Sequence, residues 1–403
     1  MTAVSNLANT LSRLANTLSR SRFFNGAAEW FLQYILKPIG QILLFAVIAG
    51  GSISLLALAV GFVLQTDWHG IDILRVPARI NLFEQVVRQL PNMLLDGITI
   101  GFVYAVIALG YTMVYGVLKF INFAHSEIFM MGAVVGYEVM IRLRDGQLLS
   151  NLPPLVVIVL MISAAMVVCG GVAVVVERVA YKPLRGAPRL VPLISAIGVS
   201  FFLTDFVRGF QALSRNIFNM PYPTDLVPFF NTRITFAEGV STTNTTLIII
   251  VSAIIMLVGL NYFVNATKIG KGIRAVSQDQ ATASLMGINV NLMITITFMV
   301  GGALGGAAGV LYGLKTTNVT PYIGFIPGLK AFTAAVLGGI GNITGAMLGG
   351  LLLGMLEAFF SALLPYFPAL GLGYSDIFAF AVLILVLLFR PTGLLGKKVD
   401  EKV

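Results

Sequence analysis

The feature that most constrains this chain is a succession of apolar runs about 20 residues long, separated by short polar stretches. A helix needs roughly 20 apolar residues to cross a hydrocarbon layer about 30 Å thick. Inside lipid the backbone must satisfy its own polar groups, which leaves helices or closed barrels. The runs are too long and too uniformly apolar for the short alternating strands of a barrel. They fall at 40–64, 92–117, 123–141, 154–176, 191–210, 246–264, 292–314, 328–341, 344–364 and 374–389. The fold class that follows is all-α, a polytopic membrane helical bundle of about 10 membrane segments (8–10). The 328–341 run is short and glycine-rich at its end, so it reads as a short span or a re-entrant piece buried in protein. The first run begins too far from the terminus for a cleaved signal peptide, and Trp30 and Trp68 flank it as interfacial anchors.

Composition enters as an exclusion. Charged residues make up 11 % and hydrophobic residues 57 %, with a mean hydropathy of +0.91. Soluble domains carry about 25 % charged residues. A soluble enzyme, a disordered chain and a disulfide scaffold are thereby excluded. One cysteine, Cys169, permits no intrachain disulfide, and with only His69 and His125 beside it no metal site is expected. The net charge of +9 has a membrane explanation rather than nucleic acid as partner. With the N-terminus cytoplasmic and all runs crossing, the inside segments hold 16 of the 26 Lys and Arg and 5 of the 17 acids. The inside net is +11 and the outside net +2, which supports cytoplasmic N- and C-termini.

The chain divides accordingly. Residues 1–39 form a basic cytoplasmic segment with a heptad duplication, LANTLSR at 7–13 and 14–20, whose leucines share one helix face. That pattern fits a helix lying on an anionic leaflet of membrane lipid, or a weakly ordered tail. Residues 40–64 are a transmembrane helix, 65–90 an extracytoplasmic linker, and 399–403 a cytoplasmic tail. The 211–245 stretch, rich in Pro, Asn and Thr, either meets an extracytoplasmic partner or merely connects two spans.

Three local patterns carry chemistry. Gly301, Gly305 and Gly309, with Gly302 and Gly306 beside them, and then Gly345 and Gly349, recur at four-residue spacing. Small residues so placed let helix backbones approach closely in lipid. The polar loop 266–290 carries Lys268, Lys271 and Arg274 on the cytoplasmic side. Ser277 with Gln280 fits a capping box there, Asp279 is an alternative N-cap, and Gly287 is placed to end the helix. A short helix between two spans follows, either a handle for a soluble partner or an ordinary basic loop. Finally, INFAHSE at 121–127 gathers Asn122, His125, Ser126 and Glu127 at what reads as a membrane boundary. Ionisable groups at membrane depth are costly and face a cavity or a partner, which makes the cluster a candidate substrate or coupling site. The plainer reading is an interfacial helix start capped by Asn122, with Glu127 near the positive end of the dipole. Glu138 and Glu357, two further acids within runs, are expected to be hydrogen-bonded in the bundle.

Absences complete the reading. The chain lacks a G-x-x-x-x-G-K-[ST] phosphate loop, so it is not expected to hydrolyse ATP itself. Two histidines and no Ser-His-Asp or zinc-protease signature leave a non-catalytic protein with no cofactor of its own.

Seven segments together resemble one family. INFAHSE, ERVAYKPLR (177–185), PLISAIGVS (192–200), GKGIRAVSQDQATASLMGIN (270–289), TPYIGF (320–325), KAFTAAVLGGIGNITGAMLGG (330–350) and FRPTGLLG (389–396) are similar, in order, to the H-type permease subunit of bacterial high-affinity branched-chain amino-acid ABC importers. The resemblance covers roughly residues 90–400 and implies a permease domain at 91–398 in a bacterial inner membrane, translocating leucine, isoleucine and valine. It implies a related M-type permease subunit, two cytoplasmic ATPase subunits that hold ATP and Mg, and a periplasmic substrate-binding protein as partners. Arg274, Ala275, Asp279, Ala283 and Gly287 match positions of the family's ATPase-docking loop. Asn122, His125, Glu127 and Tyr322 are the candidate pathway residues, as polar lining or helix anchors. The family usually begins near residue 90 of this numbering, leaving 1–89 without counterpart, and it usually carries Gly where this chain has Ser126. Urea, short amides or other amino acids are alternative cargo. A secondary transporter or channel is the alternative of a different class, and such proteins usually carry an internal half-to-half repeat. The only clear duplication here is the LANTLSR heptad.

Overall fold

The structure, a computed structural model, describes Glu29 and residues 32–65, 81–149, 151–188, 190–222, 224, 227–237, 240–367, 373–390 and 392–396. The LANTLSR duplication, Trp30, Trp68 and the tail 399–403 lie outside these residues.

The apolar runs become helices. A widely wound turn, Leu32–Leu36, leads into α1 (Lys37–Gln65). Helix α2 (Leu82–Leu118) begins well before the apolar run does, so residues 82–90 of the expected linker are helical. Asn81 caps it by accepting from the Glu84 amide at 3.2 Å, and Pro91 is accommodated inside it. Its polar first turns were misleading because only Leu82 and Val86 face inward there, while Glu84 and Arg88 stay exposed. Next come α3 (Ala124–Asp145), α4 (Pro154–Val176), which continues through a wide turn at Glu177–Tyr181, and α5 (Leu190–Arg215). Strand β1 (Met220–Pro221), a helical turn at Pro228–Asn231 and the hairpin β2 (Arg233–Ala237) with β3 (Val240–Thr243) occupy the next connection. Then follow α6 (Asn244–Ala266), α7 (Lys268–Gln278), α8 (Gln280–Leu285) and α9 (Val290–Thr316). Strand β4 (Asn318–Val319) pairs antiparallel with β1, Val319 opposite Met220. The series closes with α10 (Phe325–Gly338), α11 (Ile343–Leu363) and α12 (Tyr374–Phe389). The all-α expectation is thus amended only by two small antiparallel ribbons between helices.

Among the described residues, seven helices are long and apolar enough to cross a membrane: α1, α2, α4, α5, α6, α9 and α11. The 14-residue α10 reaches only about 21 Å at 1.5 Å per residue. The seven sort into two layers. The most apolar stretches of α2, α9 and α11 are 72 %, 72 % and 67 % buried, whereas those of α1, α4, α5 and α6 are between 22 % and 33 % buried. The outer helices turn Val159, Val167, Phe201, Phe206 and Ile255 outward.

Lipid tails are as apolar as leucine, so burial alone does not hold such helices together, and close packing must contribute. Glycine makes the contacts around α9 and α11 close enough. A Cβ on Gly306 would lie 2.6 Å from the Ala165 carbonyl of α4, and one on Gly309 would lie 2.6 Å from the Ala133 amide of α3. On α11, a Cβ on Gly349 would lie 2.9 Å from the Gly338 amide of α10, and Gly345 abuts Gly338 itself. Gly301 is in ordinary contact with Gly110 of α2, its Cβ position 3.4 Å from the Gly110 carbonyl.

Several charges within the bundle are paired. Lys330 of α10 lies 2.9 Å from Glu357 of α11 and 2.7 Å from Asp376 of α12, and the Tyr104 hydroxyl of α2 donates to Glu357 at 2.8 Å. Glu138 of α3 accepts from Arg215 of α5 at 2.8 and 3.0 Å. Glu177 is fully buried and bound by Arg185, while Thr295 of α9 donates to it at 2.9 Å. Glu138 and Glu357 are therefore hydrogen-bonded within the bundle, as expected.

Candidate functional site

Helix α2 ends at Lys119, whose φ of 58° is left-handed and disfavoured for a residue with a side chain. The chain then runs without helix to Phe123 and restarts as α3. This restart is not at the rim of the bundle. His125 is wedged between α2 and α9: a Cβ on Gly110 would collide with its imidazole, and one on Gly305 would lie 3.2 Å from it. Gly305 sits near the middle of α9, so the INFAHSE cluster is packed inside the helix bundle. Asn122, His125 and Glu127 are 2 %, 1 % and 3 % exposed.

The expected cap by Asn122 is corrected. Phe123 occupies the cap position without a side-chain bond, and Asn122 instead accepts from the Tyr181 hydroxyl at 2.6 Å. Ser126 turns its hydroxyl back to the Phe123 carbonyl at 2.6 Å. Its side chain is received by Gly328 of α10, where a Cβ would meet it. His125 meets Tyr111 edge-on, ring centroids 4.7 Å apart. Asn122 and His125 are thus packed inside the bundle, where Asn122 Nδ2 and both His125 ring nitrogens have no hydrogen-bond partner among the described residues.

Glu127, unlike these two, faces a cavity of several hundred Å³. Its Oε1 lies 3.3 Å from both the Ser126 and the Ser200 hydroxyls, and its Oε2 has no hydrogen-bond partner among the described residues. It lines a cavity of about 370 Å³ between α3, α5 and the start of α10. Ser126, Ser200 and Thr204 supply hydroxyls; Phe123, Ile197, Phe201, Tyr322 and Phe325 supply the walls. Tyr322 accepts from Arg208 at 3.3 Å. Of the four candidate pathway residues, then, Glu127 and Tyr322 share this cavity. Ser200 and Thr204 were missed because a hydroxyl in an apolar run carries no signal of its own until a facing acid is known.

The 266–290 loop is two helices rather than one. Thr267 caps α7 through the Gly270 amide, and Asp279 ends α7 and caps α8 through the amides of Ala281 and Thr282 at 2.9 and 3.2 Å. Ser277 donates to the Arg274 carbonyl, so the capping-box alternative does not form. The Thr282 hydroxyl and the two amides hold the Asp279 carboxyl below the usual carboxylate range. Gly287, at φ +80°, closes α8 in a conformation that suits glycine. Arg274 is exposed and donates to Asn265; Ala275 packs against the core, and Ala283 is buried. Leu285 and Met286 stand out at 87 % and 78 % exposed, apolar residues that the sequence reading had not singled out. Gln280 donates to the Val117 carbonyl at 2.8 Å, tying α8 to the end of α2 just before the INFAHSE cluster. A second relay runs from the N-terminal segment: Asn261 donates to the Tyr34 carbonyl, Asn265 to Asn261, and Arg274 to Asn265.

Known proteins match this framework. The high-affinity branched-chain amino acid transport system permease protein BraD of Pseudomonas aeruginosa is 44 % identical over 312 residues, 77 % of this chain and 97 % of that protein. The corresponding permease LivH of Escherichia coli K12 is 40 % identical over 321 residues, again 77 % and 97 %. A probable branched-chain amino acid transport permease of Methanocaldococcus jannaschii is 25 % identical over 313 residues, 76 % of this chain and 92 % of that protein. No solved structure matches. The family described as branched-chain amino acid transport system permease component matches residues 93–387, which spans α3 to α11 and both the cavity and the α7–α8 pair, and the chain belongs to that family.

Proposed function

We infer that this chain is the membrane permease subunit of an ABC importer that passes leucine, isoleucine and valine across a bacterial inner membrane. The chain carries no chemistry of its own; ATP and Mg belong to two cytoplasmic ATPase subunits, a related M-type permease completes the passage, and a periplasmic protein delivers the cargo. In this reading all ten helical runs enter the membrane region with both termini cytoplasmic, in line with the charge asymmetry. In this reading 1–39 is the cytoplasmic segment, and its residue Tyr34 is tied to the docking helices through Asn261, Asn265 and Arg274.

The observation that carries this reading is the α7–α8 pair. Its apolar residues Leu285 and Met286 project from the bundle, and its Gln280 holds the end of α2. Packed helices move as near-rigid bodies, so a displacement imposed on α8 by an ATPase is passed to α2 and to the cluster that follows it. Arg274, Ala275, Asp279, Ala283 and Gly287 shape this pair, while the close glycine contacts of α9 and α11 keep the moving helices in register.

Competition uptake in cells with the gene deleted and restored tests the function. Restored uptake of labelled leucine is expected to need ATP, to be blocked by isoleucine and valine, and to ignore urea. Leucine uptake unchanged by the deletion would overturn the reading. Arg274→Glu and Asp279→Pro are expected to abolish uptake while the permease still inserts.

A further inference from the structure

We propose that Glu127 forms the floor of a cargo-recognition site, where its free Oε2 receives the ammonium group of an α-amino acid whose branched side chain rests on Ile197, Phe201 and Phe325. The proposal rests on the reading of this chain as an amino-acid permease subunit, and it names the residue and the atom that meet the cargo.

Glu127 is 3 % exposed, yet one carboxylate oxygen is unpartnered. Glu138 and Glu357, two other acids of the helical runs, each have a cation within 3.0 Å. A buried charge without a partner is costly, and the missing component here is a cation that also donates hydrogen bonds. An ammonium group supplies both. The cavity of about 370 Å³ lies within the roughly 300–1,000 Å³ of small-molecule pockets. Its walls match the cargo: hydroxyls of Ser126, Ser200 and Thr204 at the carboxylate end, and aliphatic and aromatic carbon elsewhere.

The backbone gives an independent sign. Non-helical backbone inside a membrane bundle is tolerated where it is buried in protein or lines a cavity, and interrupted helices mark the binding sites of many transporters. Two helix starts meet at Glu127. Helix α3 begins beside the middle of α9, and the N-cap of α10, Gly324, is so close that a Cβ there would lie 2.8 Å from Glu127 Oε2. Arg208, which donates to the Tyr322 hydroxyl and pairs with Asp205, lies beside this wall without lining the cavity. A lipid acyl chain in the cavity would leave Oε2 unpartnered, and urea offers no cation.

The test uses the complete importer, with its partner permease, ATPases and loaded binding protein, in proteoliposomes. A leucine analogue carrying a photoreactive diazirine on its side chain is irradiated during ATP-driven turnover, and adducts are mapped by mass spectrometry. Adducts are expected on the 197–204 peptide or on Phe325, and excess leucine should compete them away. In Glu127→Gln both adducts and leucine uptake are expected to fall about tenfold, the loss of one charge-assisted hydrogen bond, with the importer still assembled. Ile197→Trp, which fills the cavity from the opposite wall, should give the same loss should Glu127→Gln fail to assemble. Wild-type uptake in either assembled variant, or adducts only elsewhere, overturns the site. Retention of a lipid in the cavity that leucine does not displace overturns it too. If the wild-type importer itself does not move leucine, the functional reading falls, and this proposal with it.

Discussion

Glu357 and Glu127 are carboxylates of the same bundle with opposite surroundings. Glu357 sits between Lys330 and the Tyr104 hydroxyl, and Lys330 reaches Asp376 as well, so three helices and α12 are joined through charges that answer one another. Glu127 is more deeply buried but answered on one oxygen only, by hydroxyls at 3.3 Å. The first arrangement spends its electrostatics inside the protein and leaves nothing for a ligand. The second keeps a charge in reserve at a cavity. A buried acid is therefore informative through what it lacks: a completed ion cluster speaks of assembly, and an incomplete one of something that visits.

The comparison is most severely tested by removing the cation from the closed cluster. Lys330→Met strands Glu357 and Asp376 and is expected to cost about 3–5 kcal/mol, seen as loss of folded permease in detergent. Gly306→Val comes next, at about 1–3 kcal/mol, because its side chain meets the Ala165 carbonyl across α9 and α4. Glu127→Gln should stand apart from both, with thermal stability within about 1 kcal/mol of wild type, since it removes a charge without stranding one. A stability loss equal to that of Lys330→Met would show that Glu127 is structural after all. The smallest effect concerns the α7–α8 joint. The bonds from Thr282 and Ala281 depress the Asp279 pKa, so the cap's stabilisation is present above the ordinary carboxylate value and lost only as pH falls through the lowered one. Between about pH 5 and 8 the importer's ATPase response should therefore have the same pH profile in wild type and Asp279→Asn.

Much of this was legible in the chain. The apolar runs became helices because hydrocarbon permits few other backbones, and Asp279 and Gly287 took the capping places offered among the alternatives because caps are local hydrogen-bonding problems. The start of α2 was illegible, since Glu84, Gln85 and Arg88 look like a linker until Val86 is seen to be buried. The depth of INFAHSE was illegible for another reason. Hydropathy marks where a helix starts along the chain, and only the glycines of two other helices decide how far into the bundle that start is drawn.

By itself the sequence determined the membrane class, the family and the capped loop at 266–290, because each depends on residues close together or on a composition that water cannot accommodate. Tertiary structure alone decided which of the buried acids was left uncompensated. Glu127, Glu138 and Glu357 are equivalent as letters in apolar runs, and their partners, Ser200, Arg215 and Lys330, lie 73, 77 and 27 residues away. Whether a buried charge is answered is set by what packing brings within about 3 Å, and no spacing along the chain encodes that distance.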